Sequence, residues 1–200
     1  MKKLFGRLAV IASVLVLLLG LGFLLLPRLA VDEAENAQAD ALYLMVFDPR
    51  LRTDEYAVQL YRQGLVKKLV CVSNAMTCDV FPADYARQHL IALGVPESDV
   101  LMLHTPDTDC RAQLFPPMLK FTQEQGWRRI VWLVDPAGSR MTRRVHQPRY
   151  RAQGIEMWVT YPPDARTELL DGWWREHWKV QRLTRDALET TLDWFYVECW

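Results

Sequence analysis

The sequence has no excess of charge of either sign. It contains 24 lysines and arginines and 24 aspartates and glutamates, so that the formal net charge is zero. Nucleic-acid binding requires a basic face that dominates the surface potential. The composition therefore argues against nucleic acid as the main partner, and any electropositive function must be local.

Several motifs that would identify an active site are also missing. No Gly-x-Gly-x-x-Gly loop follows the first predicted strand, where Phe47–Arg50 stands instead, and this argues against a dinucleotide cofactor. No serine lies in a Gly-x-Ser-x-Gly elbow, and no His-x-x-x-His spacing suggests a metal site. We therefore predict no cofactor and no metal.

One long apolar run dominates the N-terminus. Residues 8–26 contain no polar side chain longer than serine, and their number is close to the ~20 residues that cross a bilayer. The run predicts a membrane anchor over residues 1–28, with a polar linker at 29–39 and a domain of about 160 residues at 40–200.

The flanking charges predict the orientation of this anchor. Lys2, Lys3 and Arg7 precede it, and the acids Asp32, Glu33 and Glu35 soon follow it. The positive-inside rule then puts the N-terminus in the cytoplasm and the domain outside, which in a bacterium is the periplasm. The alternative is a signal peptide cleaved near 37–39, although the apolar run is longer than a typical signal core.

The domain itself alternates between two kinds of segment. Apolar runs of strand length at 41–47, 68–73, 100–104, 129–134 and 155–161 are separated by segments with helical periodicity. This order predicts an open, Rossmann-like parallel α/β sheet of about five strands with helices on both faces. Pro116 and Pro117 should kink or restart the third crossover helix, Pro148 falls within the fourth, and a Pro-Pro loop follows Tyr161.

Ligands of such sheets bind beyond the carboxyl ends of the strands. The stretch from Ser139 to Arg151 begins at one of these ends and holds five arginines and no carboxylate. Arg140 and Arg143 are placed to hold an anion at a helix start, whereas Arg144, Arg149 and Arg151 fit a solvated helix face. The predicted ligand-binding residues are Ser73, Asn74, Thr108, Arg140 and Arg143.

Acidic residues lie at the same predicted edge. Asp48, Asp107 and Asp135 are candidates for a base or a cation ligand, with His104 and Asp109 nearby. Pairing with the facing arginines explains these aspartates more simply.

Four cysteines in an exported domain permit a disulfide. Cys71 lies within an apolar run and is interpreted as a buried thiol, and Cys199 is next to the end of the chain. Cys78 and Cys110 follow strands in loops at the same sheet edge, so they are either a disulfide pair or two free, buried thiols.

The C-terminal segment is rich in aromatic residues. Its simplest interpretation is an amphipathic helix that packs on the sheet through Trp178, Leu188, Leu192 and Phe195. The alternative is contact with the membrane interface by tryptophans interleaved with Arg175, Lys179 and Arg182.

The order of short motifs along residues 40–198 resembles a known family. The anchor is followed by LYRQG, VSNA, ALGVPESDVLM, a Thr-x-Asp-Thr loop, GWRRIVWLVD, an Arg-Met-Thr-Arg turn and WWREHW. This series resembles the YdcF-like family of SanA- and ElyC-type envelope proteins. The resemblance implies a Rossmann-like domain, usually anchored in the inner membrane, that serves the envelope barrier, peptidoglycan assembly or handling of the polyprenyl carrier.

The chain departs from the family at its polar positions. Ser73-Asn74-Ala75 replaces Ser-Gly-Gly, the loop around Thr108 keeps only the threonine, and Arg140 stands where a histidine is usual. Binding of S-adenosylmethionine, reported for one relative, rests on the resemblance alone. Because most of the catalytic-looking positions are replaced, the resemblance does not establish an enzyme.

Three functional hypotheses follow. The first is an envelope-biogenesis factor in the bacterial inner membrane that binds an anionic envelope component, a peptidoglycan precursor or a polyprenyl phosphate. The second is a hydrolase or transferase acting on a phosphorylated envelope lipid or precursor. The third is a non-catalytic partner of the cell-wall machinery that makes contact through its aromatic terminal helix.

Overall fold

The domain is built on a parallel sheet. The computed structural model describes residues 2–35, 37–45, 52–73, 82–105 and 115–192. The sheet has the order β3-β2-β1-β4-β5, with β1 at Ala39–Leu44, β2 at Val66–Ser73, β3 at Val100–His104, β4 at Arg129–Leu133 and β5 at Glu156–Thr160. The predicted open Rossmann-like parallel sheet is confirmed, and each predicted run overlaps one of these strands, although β1 and β2 each begin two residues earlier than predicted.

Helices connect the strands, and further helices precede β1 and follow β5 in the chain. They are α1 (Lys2–Ala30), α2 (Arg52–Arg62), α3 (Pro82–Ala92), α4 (Phe115–Glu124), α5 (Ser139–Arg151), α6 (Pro163–Leu170) and α7 (His177–Leu192). Short 3-10 turns lie at Glu97–Asp99, Pro136–Gly138 and Trp173–Arg175.

The prolines act mostly at helix starts. Pro116 and Pro117 fall in the first turn of α4, where the missing N–H groups break no helical hydrogen bond. Pro163 begins α6 in the same way, so a helix follows where the sequence suggested only a loop. Pro148 lies inside α5, which continues through it to Arg151.

Both faces of the sheet are buried, as expected for a parallel sheet covered by helices. Along β1, Leu42 and Leu44 point to the face covered by α2 and α3, and Ala41 and Tyr43 point to the face covered by α4 and α5. Cys71 belongs to the first of these cores as a buried free thiol, in agreement with the sequence interpretation.

A third apolar core joins the end of α1 to the domain. Ala30 and Val31 are buried against Tyr161, Trp173 and Leu183. Residues 13–29 of α1 are mostly exposed, and Ser13–Ala30 is long and apolar enough to span a membrane. The last turn of α1 is therefore packed on the folded domain.

The chain leaves α1 at the carboxyl edge of the sheet. The backbone N–H of Asp32 donates to Ser139 Oγ at 2.8 Å, at the start of α5. Further along, Glu35 N donates to Val159 O within β5 at 3.0 Å, and Ala39 N donates to Leu65 O at 2.8 Å, just before β2. Residues 32–35 therefore lie toward the carboxyl edge and Ala39 lies at the amino edge, so the chain passes from one edge to the other against the direction of the strands.

The packing prediction for the C-terminal helix is wrong at the two positions whose side chains are described. Trp178 is 48% exposed and Leu188 is 54% exposed. Among the described side chains of α7, the buried apolar ones are instead Leu183 and Ala187, which contact the third core. The helix is amphipathic, but the end of α1 takes part of the surface that the sheet was expected to provide, so a different stripe is buried.

We predict that Asp40 makes stability acid-sensitive. Burial raises the pKa of its carboxyl group, but hydrogen bonds from the backbone N–H groups of Arg128 and Arg129 and from Lys67 outweigh burial and hold the pKa below its ordinary value of 3.8. A carboxyl group with a lowered pKa in the folded state stabilises the fold above its unfolded-state pKa, and that stabilisation is lost as pH falls through the folded-state value.

Urea unfolding across a pH series tests this expectation. Asp40→Asn should cost about 1–2 kcal/mol near neutral pH, because charged acceptors make the stronger hydrogen bonds, and it should reduce the fall in stability below pH ~4. Equal pH dependence in the variant and the original chain would contradict the assignment.

Candidate anion-binding cleft

The two arginines selected from the sequence line one cleft. Arg140 and Arg143 lie in the first turns of α5, directly after the turn that follows β4. The cleft has a volume of about 600 Å³ and lies between the end of α1, residues 31–35, α5 and α6. It is therefore at the carboxyl edge of the sheet, beside the point where α1 joins the domain.

The lining of the cleft is half apolar and half charged. Leu25, Leu29 and Leu170 contribute apolar surface. Its charged lining consists of four arginines and three carboxylates, namely Arg28, Arg140, Arg143, Arg166, Asp32, Glu33 and Glu35. Positive charge is thus locally in excess although the whole chain is neutral.

Arg143 is held between two carboxylates from the segment after α1. Its guanidinium nitrogens lie 3.0 Å from Asp32 Oδ2 and 3.2 Å from Glu35 Oε1, and one of them donates to the Glu33 backbone carbonyl at 2.6 Å. The Arg140 guanidinium lies 3.9 Å from Asp32 Oδ1. The guanidinium groups of both arginines thus face oxygen anions supplied by the chain itself.

Some polar atoms of this cluster are buried without a hydrogen bond in the described part of the chain. They are Nε of Arg140, Nε of Arg143 and Oε2 of Glu35. A buried N–H donor without an acceptor costs free energy, so the internal ion pairs leave the hydrogen-bonding capacity of the arginines incompletely used. An additional oxygen-rich ligand would supply acceptors that these donors lack.

Asp135, the one described member of the predicted acidic group, has structural contacts. Its Oδ1 accepts from Ala137 N at 2.9 Å and so caps the turn Pro136–Gly138, while its Oδ2 lies 2.9 Å from Arg182 on α7. The sequence suggested that arginines at this edge pair with the aspartates, and Asp135 does so. This arginine lies on α7.

The remaining predicted site residues are not brought into the cleft by the described structure. Ser73 ends β2, two strands from β4 and so about 10 Å away across the sheet. Asn74, Thr108, Asp48 and Asp107 lie outside the described residues, as do Cys78 and Cys110, and their proposed roles and pairing stay predictions.

The two histidines near this edge differ in their environment. His104 is exposed at the end of β3. His146 is buried within α5, where its ring lies 4.7 Å from the Trp132 ring and 6.1 Å from the Phe115 ring. His146 therefore packs in the core instead of facing a ligand at the edge.

The ranges that the structure describes give little support to metal binding or to catalysis by a cysteine nucleophile. They contain no group of three or more His, Cys, Asp and Glu side chains that could hold a metal ion. Burial, with a smaller contribution from Asp54, raises the pKa of the Cys71 thiol to about 12, so this cysteine is a poor nucleophile at neutral pH.

The sequence interpretation missed the residues that contribute most to the cleft besides the two arginines. Asp32, Glu33 and Glu35 served only as an indication of membrane orientation, and Arg28 and Arg166 were not selected. The signal that could have found them is charge complementarity, because an acidic run and an arginine run without any carboxylate occur in the same short chain.

Comparison with protein-family models, with curated proteins and with solved structures finds no match to this chain. The YdcF-like resemblance therefore stays a prediction.

Proposed function

We propose that the protein is a membrane-anchored envelope-biogenesis factor that binds an anionic component of the bacterial cell envelope, a peptidoglycan precursor or a polyprenyl phosphate. The observation that carries the proposal is the cleft in which Arg140 and Arg143 face oxygen anions beside the end of a membrane-length helix. The anchor, its inward N-terminus and the periplasmic location of the domain are parts of the same proposal.

The composition of the cleft supports an amphiphilic ligand. Guanidinium groups bind phosphate or carboxylate in a forked geometry, and leucines beside them offer apolar contact to a hydrocarbon segment. The contacts of Arg143 with Asp32 and Glu35 support this interpretation, because a phosphate has enough oxygens to replace two carboxylates at one guanidinium.

In this proposal residues 32–35 compete with the ligand. An incoming anion takes the place of Asp32 and Glu35 at the arginines, and the displaced carboxylates return to water. Since side chains of both acids are partly exposed, at 26% and 37%, the exchange exposes no deeply buried charge. The cleft therefore opens to a ligand at moderate cost.

A binding measurement on the full-length protein in lipid nanodiscs tests the proposal. The probe is a polyprenyl phosphate, and the uncharged polyprenol of the same length is the control ligand. We expect saturable binding of the phosphate and none of the alcohol, since the arginines recognise the charge. Equal binding of both, or binding of neither, would refute the proposal for this ligand class, and a soluble peptidoglycan precursor would then be the remaining candidate to titrate.

Neutralising the internal competitors gives a second prediction. Asp32→Asn combined with Glu35→Gln should strengthen binding of the polyprenyl phosphate about fivefold, because partly exposed ion pairs are each worth up to about 1 kcal/mol. Glu124→Gln with Glu156→Gln, near the amino edge of the sheet, is a control with the same change in charge. If the control strengthens binding equally, net charge and not the cleft determines affinity.

A further inference from the structure

Two large aromatic side chains are exposed beside α1. Trp174 is 56% exposed and Trp178 is 48% exposed, whereas the preceding Trp173 is only 6% exposed. All five residues from Trp174 to Trp178 are exposed. We call this segment, Trp174–Trp178, the aromatic patch.

Ring contacts connect this patch to the apolar part of α1. The Trp173 ring lies 4.6 Å from the ring of Phe23 on α1, and the Trp174 ring lies 6.3 Å from the Trp173 ring. Phe23 belongs to the apolar run 8–26 and precedes its end by three residues, which corresponds to about 5 Å along a helix. In a bilayer spanned by α1, Trp173 therefore lies near the depth where hydrocarbon meets the headgroups.

The polar contacts of the patch suit that depth. The Trp178 indole N–H donates to Glu176 at 2.8 Å, so its polar end is already satisfied. The Arg175 guanidinium lies 5.8 Å from the Trp174 ring centre, and the Lys179 ammonium lies 5.6 Å from the Trp178 ring centre. Indole rings accompanied by cations are typical of the membrane interface, where one end of the side chain is in apolar surroundings and the other is wet.

We infer that the aromatic patch lies in the interfacial layer of the same bilayer that α1 crosses, so that the domain contacts the membrane at a second point. The partner is the lipid headgroup region, with Trp174 and Trp178 inserted and Arg175 directed to lipid phosphate. The inference rests on one part of the proposed function, the anchoring of the protein by α1 in a bilayer, and not on the ligand of the cleft. The exposure of Trp178, which packing on the sheet does not explain, then has a physical cause.

Fluorescence quenching by brominated lipids tests this contact. The helix α1 contains no tryptophan, so any tryptophan emission that lipid bromine quenches comes from the domain. The full-length protein is placed in nanodiscs whose lipids carry bromine near the glycerol end of the acyl chains. Trp174→Phe with Trp178→Phe should remove about half or more of the lipid-quenchable emission, because interfacial indoles lie within reach of that bromine.

Trp127→Phe is the matched control. Trp127 precedes β4 at the amino edge of the sheet, the edge farthest from the point where α1 ends, and its removal should leave the lipid-quenched emission unchanged. Equal lipid quenching in the double variant and the original chain would overturn the inference, as would full access of a water-soluble iodide quencher to both tryptophans in nanodiscs.

The outcome is separable from that of the proposed function. Phenylalanine keeps an apolar ring at two exposed positions, so the fold, followed by circular dichroism, and the binding of polyprenyl phosphate should be retained. If the original chain shows no lipid quenching of its tryptophans but binds polyprenyl phosphate, the inference about the aromatic patch is refuted and the cleft proposal stands. Absence of ligand binding with strong lipid quenching refutes the cleft proposal and leaves the patch in place.

Discussion

Replacing both cleft arginines, Arg140→Ala with Arg143→Ala, is expected to weaken binding of a polyprenyl phosphate about hundredfold. Hydrogen bonds to charged groups contribute about 1.5–3 kcal/mol each, and two of them, reduced by partial exposure to solvent, amount to about 2.8 kcal/mol. Titration of the full-length protein in nanodiscs measures the loss. Binding at the original affinity would show that the anion site is elsewhere.

Two further variants give this experiment its specificity. Arg144→Ala with Arg151→Ala removes the same charge from exposed positions of the same helix and should change affinity by less than about twofold. Lysine at positions 140 and 143 keeps the charge but loses the planar fork, and we expect an intermediate loss of about tenfold. Equal effects of the alanine and lysine pairs would indicate that forked geometry, not charge, determines binding.

The largest effect on stability is expected at Leu183. This α7 side chain is fully buried in the core that holds Ala30, Val31, Tyr161 and Trp173. Leu183→Ala removes buried apolar surface and leaves a cavity where α1 and α7 meet, and comparable substitutions cost 2–5 kcal/mol. We therefore expect a loss of about 3 kcal/mol in the free energy of unfolding, measured by urea denaturation of the full-length protein in detergent.

Leu188→Ala on the same helix is the control. Leu188 is 54% exposed, so its truncation should change stability by less than about 0.5 kcal/mol. Because Leu183 supports the docking of α1, its truncation should also speed proteolysis within residues 31–38. Equal effects of the two substitutions would mean that the stripe defined by Leu183 and Ala187 does not hold α7 in place.

The sheet could be predicted because short, local sequence patterns indicate each of its strands. Each strand is a short apolar run bounded by polar or glycine-containing turns, and alternation with helical segments implies parallel pairing. The helix α6 escaped prediction because Pro162 and Pro163 are equally compatible with a loop and with a helix start. The difference depends on Leu169, which is buried only once the third core exists.

For a related reason, only the two arginines of the cleft, and not their acidic partners, could be predicted from the sequence. The position of Arg140 and Arg143 at a strand end follows from the order of elements, so the sequence was sufficient to select them. Their acidic partners come from the other end of the chain, and the Glu33 carbonyl bound by Arg143 lies 110 positions earlier. Such a contact is set by how α1 packs on α7, which no local pattern in the chain reveals.

The passage of the chain from the carboxyl edge at Asp32 to the amino edge at Ala39 has a consequence for how a ligand would be encountered. In a bilayer spanned by α1, the strands point their carboxyl ends toward the membrane surface, and the arginines remain within a short distance of it. A lipid ligand then reaches them by lateral diffusion in two dimensions, and its occupancy depends on its surface density among other lipids. If the proposed ligand is a scarce lipid, its affinity for the cleft is therefore to be expressed as a mole fraction in the membrane and not as a bulk concentration.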